Sequence, residues 1–272
     1  MPEGPPPAPA VQRIRLRYTK RGRLRFTSHR DFQRAFERAL RRSSVPMAYS
    51  AGFTPHPKVS YANAAPTGVA SEAEYLEIAL TEARDPEQLR AQLDESLPAG
   101  LDVVDAVEVH TSNFADQLQA SVWQIRLEGV APGTAAEAVE AFLAAEAVEV
   151  ERLTKNGVRT FDARAAVASL EVSTDEPGGV PDGGADVRAG RACAILRLVV
   201  RHATPAVRPD DVLSGLRATA DLAPPVPAEV TRLAQGPLHG ESGTVTDPLA
   251  PDRAAATAVP LATAGPRAAA KA

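Results

Sequence analysis

Arg13-Ile14-Arg15-Leu16-Arg17-Tyr18, followed by Ser28-His29-Arg30-Asp31-Phe32-Gln33-Arg34-Ala35-Phe36-Glu37-Arg38-Ala39-Leu40-Arg41-Arg42, shows both periodicities of a folded chain in one short stretch. The first run alternates with period two, the pattern of a half-buried strand whose outward face is arginine. Lys20-Arg21-Gly22-Arg23 reads as a turn, and Leu24-Arg25-Phe26 as the strand resumed. In the second run Phe32, Ala35, Phe36, Ala39 and Leu40 recur on one face of a helix. Ser28 and Asp31 fit the S-x-x-D pattern that caps a helix start. Pro46 ends the segment.

Working outward, residues 47–63 read as extended and turn-like, and Glu74–Leu80 alternates as a strand. Asp85-Pro86-Glu87 opens a helix with Leu89, Leu93 and Leu97 on one stripe, and Leu101–Val109 is a further strand. This β-α-β-β-α-β order is the ferredoxin-like split βαβ unit. The order recurs more weakly downstream. Strands are expected over 122–127, 148–153, 158–162, 166–172, 194–201 and 228–233, with helices over 134–147 and 208–216. The expectation is an α+β chain of two tandem ferredoxin-like domains, 11–112 and 113–238. The second would carry a flexible Gly/Asp/Pro-rich loop at 173–191. Residues 1–10 and 239–272 lack periodicity and are expected to be disordered tails.

Charge is unevenly placed. Residues 11–61 hold 13 Lys/Arg against Asp31 and Glu37, a local charge of +11 in a chain whose total is −4. That distribution suits an anionic partner for one region of an otherwise repelling body. The one cysteine, Cys193, excludes a disulfide framework and a thiolate metal cluster. No metal motif, Walker loop or nucleophile elbow is present, so neither metal nor cofactor is expected. No apolar run approaches a membrane span, and no basic leader precedes an apolar stretch. No membrane association is expected, and the default location is the cytoplasm.

On the helix, Arg30, Arg34, Arg38 and Arg41 fall in one sector opposite Phe32 and Phe36. They admit two readings, a ridge that tracks phosphates and a solvated face. Arg15, Arg17 and Arg25 of the strand extend the nucleic-acid-binding set. His29 sits in the first helical turn, where packing and function are both open. The loop Tyr49-Ser50-Ala51-Gly52-Phe53-Thr54-Pro55-His56-Pro57-Lys58 is stiffened by Pro55 and Pro57 after a turn at Gly52. It reads either as a rigid connector or as a recognition element presenting Phe53, His56 and Lys58. His29, His56 and Lys58 are the candidates for any catalysis. Ser28, Asp31, Gly52, Pro55 and Pro57 are assigned structural roles, and His110, His202 and His239 none.

Ser28-His29-x-Asp31, the Arg34-x-x-x-Arg38-Ala39-x-Arg41-Arg42 helix, Ser50-x-Gly52-Phe53-x-Pro55-His56-Pro57-Lys58 and Gly68-Val69-x-Ser71-x-x-Glu74 together resemble the radical-SAM-linked domain. This is a family of unknown function found fused to B12-binding radical SAM proteins or as separate chains. The resemblance is dense over residues 12–110 and looser to about 238. The family loop usually has Asn where Thr54 stands. The resemblance implies a radical SAM enzyme as partner and, from the genes commonly beside stand-alone actinobacterial forms, an E/G-type ribonuclease. With a single cysteine the chain cannot hold an iron-sulfur cluster of its own, which points to an accessory role.

Three functions are consistent with these residues. The first is an accessory module that binds RNA (tRNA or rRNA) for a partner modification enzyme. The second, by fold-level analogy with CRISPR repeat-processing enzymes, is a metal-independent RNA endonuclease using His29 or His56 as base. The third is a scaffold whose basic face docks a radical SAM enzyme or an E/G-type ribonuclease.

Overall fold

The computed structural model describes residues 7–155, 157–173, 192–240 and 243–258. Strand β1 (Gln12–Lys20) leads through a 3-10 turn (Gly22–Phe26) to helix α1 (His29–Arg42). Strands β2 (Val59–Ala62) and β3 (Ala70–Leu80), helix α2 (Pro86–Ser96) and strand β4 (Val103–Glu108) complete the first half. The alternation in β1 works as expected on one face. Ile14, Leu16 and Tyr18 are buried against Phe32, Phe36 and Leu40 of α1 and Leu89 and Leu93 of α2. Ser28 is the cap, its Oγ accepting the Asp31 N–H at 3.2 Å. Leu24-Arg25-Phe26 does not resume the strand. Gly22, at φ +52°, turns the chain into the 3-10 helix instead.

The second half runs from a short helix α3 (Phe114–Gln117) through β5 (Ala120–Glu128) and α4 (Pro132–Ala144) to the hairpin β6 (Glu149–Thr154) and β7 (Gly157–Asp162). Strands β8 (Val167–Ser173) and β9 (Cys193–Arg201), helix α5 (Pro209–Ala220) and strand β10 (Glu229–Gly236) follow. Its core is the apolar face of β5, β8 and β9 under α4 and α5, with Ile125, Phe142, Leu196, Leu198 and Leu216 all fully buried. Gly215 allows α5 its close approach to α4, since a Cβ there would lie 2.6 Å from the Phe142 ring. The expected loop at 173–191 lies, beyond Ser173, outside the described residues.

One eight-stranded sheet unites the halves in the order β4-β1-β3-β10-β5-β9-β8, with β2 also paired to β3. Within each half every pairing is antiparallel, giving β4-β1-β3-β2 and β10-β5-β9-β8. Both orders are compatible with ferredoxin-like units, the second carrying the β6–β7 hairpin as an insertion. The α+β class is as expected; the joining of two sheets into one is not visible in the sequence. β3 makes that join. Tyr75–Ile78 pair with β2, while Ala70 and Ser71 pair in parallel with Thr231 and Arg232 of β10. No helix among the described residues is long and apolar enough to cross a membrane.

The segment 239–272, expected to be disordered, is ordered in its first part. β11 (Leu238–His239) pairs with β12 (Thr244–Val245), and helix α6 (Ala250–Ala258) follows. The reason is one buried carboxylate. Asp252 is fully buried and accepts the His110 and Thr111 N–H groups at 2.9 and 2.8 Å, and the Thr111 hydroxyl at 2.8 Å. Arg15 Nη1 donates to its other oxygen at 2.5 Å. Composition alone hides this, because α6 is otherwise an alanine-rich helix with a single anchoring acid.

Burial raises the Asp252 pKa, but the N–H donors of His110 and Thr111, the Thr111 hydroxyl and Arg15 outweigh it and hold the carboxyl below its usual range. Its stabilising contribution is therefore complete above about pH 4 and lost as pH falls through the depressed folded value. Asp252→Ala leaves the buried Arg15 with Glu77 as its remaining carboxylate partner and takes the acceptor from the His110 and Thr111 N–H groups, and urea denaturation should show a loss of about 3 kcal/mol. An unchanged midpoint would mean that α6 does not hold Arg15.

Candidate functional site

The expected nucleic-acid-binding residues divide into two groups. Arg15 is 2% exposed. Its Nε donates to Glu77 at 3.1 Å, its Nη atoms to Thr111 and Asp252, and its guanidinium lies over the Phe114 ring at 4.6 Å. Buried, and with four of its five N–H donors engaged, it is closed to a phosphate, which corrects the reading of an outward arginine face on β1. Arg17 faces the same layer. It lies 3.8 Å from Asp105, which also pairs with Arg253 of α6. Arg25 is partly exposed, its guanidinium 4.8 Å from the Phe26 ring centre.

The helix arginines remain at the surface. Arg30, Arg34, Arg38 and Arg41 are all exposed. The ion pairs there, Arg34–Asp31 at 3.9 Å and Arg41–Glu37 at 4.0 Å, are long and solvated, and such pairs neutralise little. The proline loop is a closed structure. Ser50 N–H donates to the His56 carbonyl at 2.9 Å, and His56 N–H donates to Ser50 Oγ at 3.1 Å. This clamp, with Gly52 at φ +123°, lifts Phe53 to 94% exposure. His56 and Lys58 are exposed beside it. His29 lies elsewhere in the network, its ring edge-on to Tyr61 at 4.9 Å and its Nε2 within 3.1 Å of Gln33 Nε2. Among the described residues no hydrogen bond or ring contact joins His29, His56 and Lys58 to one another.

A second constellation was visible in the sequence only through the block that holds Ser71 and Glu74. Arg232 and Glu74, each 2% exposed, meet at 2.5 Å where β3 and β10 join. Arg232 also donates to the Asn63 carbonyl at 2.8 Å and lies 5.2 Å from the Trp123 ring centre. Glu74 accepts the Ala65 N–H at 2.9 Å. Gln235 donates to the Ala73 carbonyl at 2.6 Å and accepts from Asn63 Nδ2 at 3.0 Å. Lys20, its pKa lowered by burial, donates to the carbonyls of Ala65 and Pro66. Beside this network opens a cleft of about 640 Å³ lined by both halves, including Tyr61, Asn63, Trp123, Arg201, His202 and Arg208.

At the cleft, His202 Nδ1 lies 2.6 Å from the Leu118 carbonyl and Nε2 lies 2.8 Å from Ser121 Oγ. A carbonyl only accepts, so Nδ1 carries the proton and Nε2 accepts from the serine hydroxyl. His202 was assigned no role from sequence because Ser121, Leu118 and Asn63 are remote from it along the chain. Only Ser71 and Glu74 of this region carried a signal, through the Gly68-Val69-x-Ser71-x-x-Glu74 block.

The fold and this seam can be set beside known proteins. The chain belongs to a family described as uncharacterized proteins conserved in bacteria (DUF2344), whose model matches residues 13–209. The match takes in α1, the proline loop, Glu74, His202 and the start of α5. A search of curated proteins finds no match.

Burial lowers the His202 pKa, and the bond to Leu118 only partly offsets this. In the unfolded chain the ring takes its proton near pH 6.5. Stability linked to His202 is therefore full above that value and lost as pH falls from there through the folded pKa. Proton-detected titration should find His202 neutral at pH 7. His202→Gln should flatten the fall in stability between about pH 6.5 and 5 relative to wild type; an unaltered slope would contradict the neutral, hydrogen-bonded ring.

Proposed function

We propose that the protein is an RNA-binding accessory module that presents RNA to a partner modification enzyme. The observation that carries this is the placement of exposed aromatic rings. Of the chain's phenylalanines, tyrosines and single tryptophan, those left largely exposed are Phe26 at 59%, Tyr49 at 41% and Phe53 at 94%. All three lie in the 11–61 window that carries a charge of +11. Exposed rings among solvated arginines offer stacking surfaces for unpaired bases beside a phosphate track.

In this reading Arg30, Arg34, Arg38 and Arg41 supply the salt-dependent affinity. The Ser50–His56 clamp holds Phe53 ready to stack, so little ordering entropy opposes binding. The resemblance to radical-SAM-linked domains supports a radical SAM enzyme as the partner, with an E/G-type ribonuclease as a second candidate.

Filter binding to total tRNA and to rRNA fragments tests this. Arg34→Glu with Arg38→Glu should weaken binding by at least about tenfold at low salt and flatten the dependence of log K on log salt. Phe53→Ala should cost about 1–3 kcal/mol while leaving the salt slope unchanged. Affinity that is absent at low salt, or indifferent to salt, would remove RNA from the proposal.

A further inference from the structure

The cleft between the halves lies apart from the arginine face of α1, and its chemistry is specific. Its rim carries Arg201 and Arg208, both exposed and neither within salt-bridge distance of an acid among the described residues, with Asp211 of α5 feeling the charge of Arg208. The acid in its lining is Glu77, already engaged by Arg13 and Arg15. The local field is therefore positive. Tyr61, Phe114 and Trp123 line the same space. Two of these rings are held by neighbours, Tyr61 by His29 and by Phe32 at 6.0 Å, and Trp123 by Arg232, which also lines the cleft. Asn63 and the Ser121–His202 pair supply directional polar groups within the same lining. Asn63 Oδ1 accepts no hydrogen bond among the described residues, so it is open to a donor from a ligand.

From this we infer that the cleft is a binding site for one nucleoside monophosphate unit. The flat ring would lie against the aromatic wall, the base edge would meet Asn63, and the phosphate would meet Arg201 and Arg208 at the mouth. A volume of about 640 Å³ falls within the usual range for small-molecule sites. Free guanidinium forks at the entrance favour a phosphate over an uncharged ring. The unit could arrive as a free nucleotide or as one residue of an RNA strand. The His29–Tyr61 contact makes the second source feasible, because it joins the first turn of α1 to the cleft wall.

Trp123 is the chain's only tryptophan, so its emission reports on this cleft alone. The full chain is titrated with AMP, GMP, CMP and UMP, and separately with short oligoribonucleotides. Saturable quenching by at least one of these, weakened about tenfold or more in Arg201→Glu/Arg208→Glu, is the expected result. Response to monophosphates identifies a free nucleotide; response to oligonucleotides only identifies an RNA residue. Ala203→Phe, placed at the mouth, should block binding without removing charge and serves if the double variant fails to fold. Arg34→Glu/Arg38→Glu should leave monophosphate quenching intact. RNA captured on filters with unchanged Trp123 emission would overturn the cleft assignment and leave the α1 face standing. Quenching by monophosphates without RNA capture would do the reverse. Quenching that persists undiminished in both the double variant and Ala203→Phe would also overturn it.

Discussion

Arg232 and Glu74 meet across a join that the backbone hardly makes. Only Thr231↔Ala70 and Arg232↔Ser71 connect β10 to β3 in register, so the continuity of the sheet depends on side chains. A buried guanidinium beside a buried carboxylate is tolerable only when the remaining donors and acceptors are filled. Asn63, Ser71, Gln235 and the Ala65 amide fill them here. Fixing those partners fixes the 63–71 connection, the ring of Trp123 and the floor of the cleft. The seam is thus both the joint between the halves and the scaffold of the site beside it. An apolar seam could match its stability, yet it would not orient Asn63 toward His202.

The two buried charge pairs divide the positive charge of the chain into separate kinds. Arg15 and Arg232 are consumed by Asp252 and Glu74, at 2.5 Å each. The arginines of α1 keep their charge in water. A count over residues 11–61 treats these alike, although Arg15 has none of its field available at the surface. The usable basic surface is smaller than the sequence suggests and better defined, since the exposed arginines Arg30, Arg34, Arg38 and Arg41 share one helix.

Local pattern explains which parts could be read in advance. Period-two and helical spacing located β1, α1, β3, α2 and β9, because each buries one face against a core formed within its own half. Ser28 was legible because a cap is a contact three residues long. The exposed Phe53 was legible as a loop tip, since Gly52, Pro55 and Pro57 constrain the backbone directly. What escaped is non-local. Arg15 and Asp252 are 237 positions apart, and His202 meets Asn63 across 139. Alternation correctly placed Arg15 opposite Ile14 and Leu16, but it could not show that α6 would cover that face.

The Ser50–Lys58 and Gly68–Glu74 motif blocks take on different meanings once placed in the fold. Ser50 and His56 matter through the hydrogen bonds that close their loop, with both side-chain and backbone atoms of Ser50 engaged. Among the described residues the His56 imidazole makes no hydrogen bond, while its backbone N–H and carbonyl do the structural work. Ser71 and Glu74 serve the seam instead, where Glu74 balances Arg232. A block selected to hold a seam requires its partner strand, so Gly68-Val69-x-Ser71-x-x-Glu74 implies the second half of the molecule as much as the first. That dependence argues against reading residues 11–112 as an independent RNA-binding domain. Cut away from β10, Glu74 would face no cation from Arg232, and the 63–71 connection would lose the contacts that shape it.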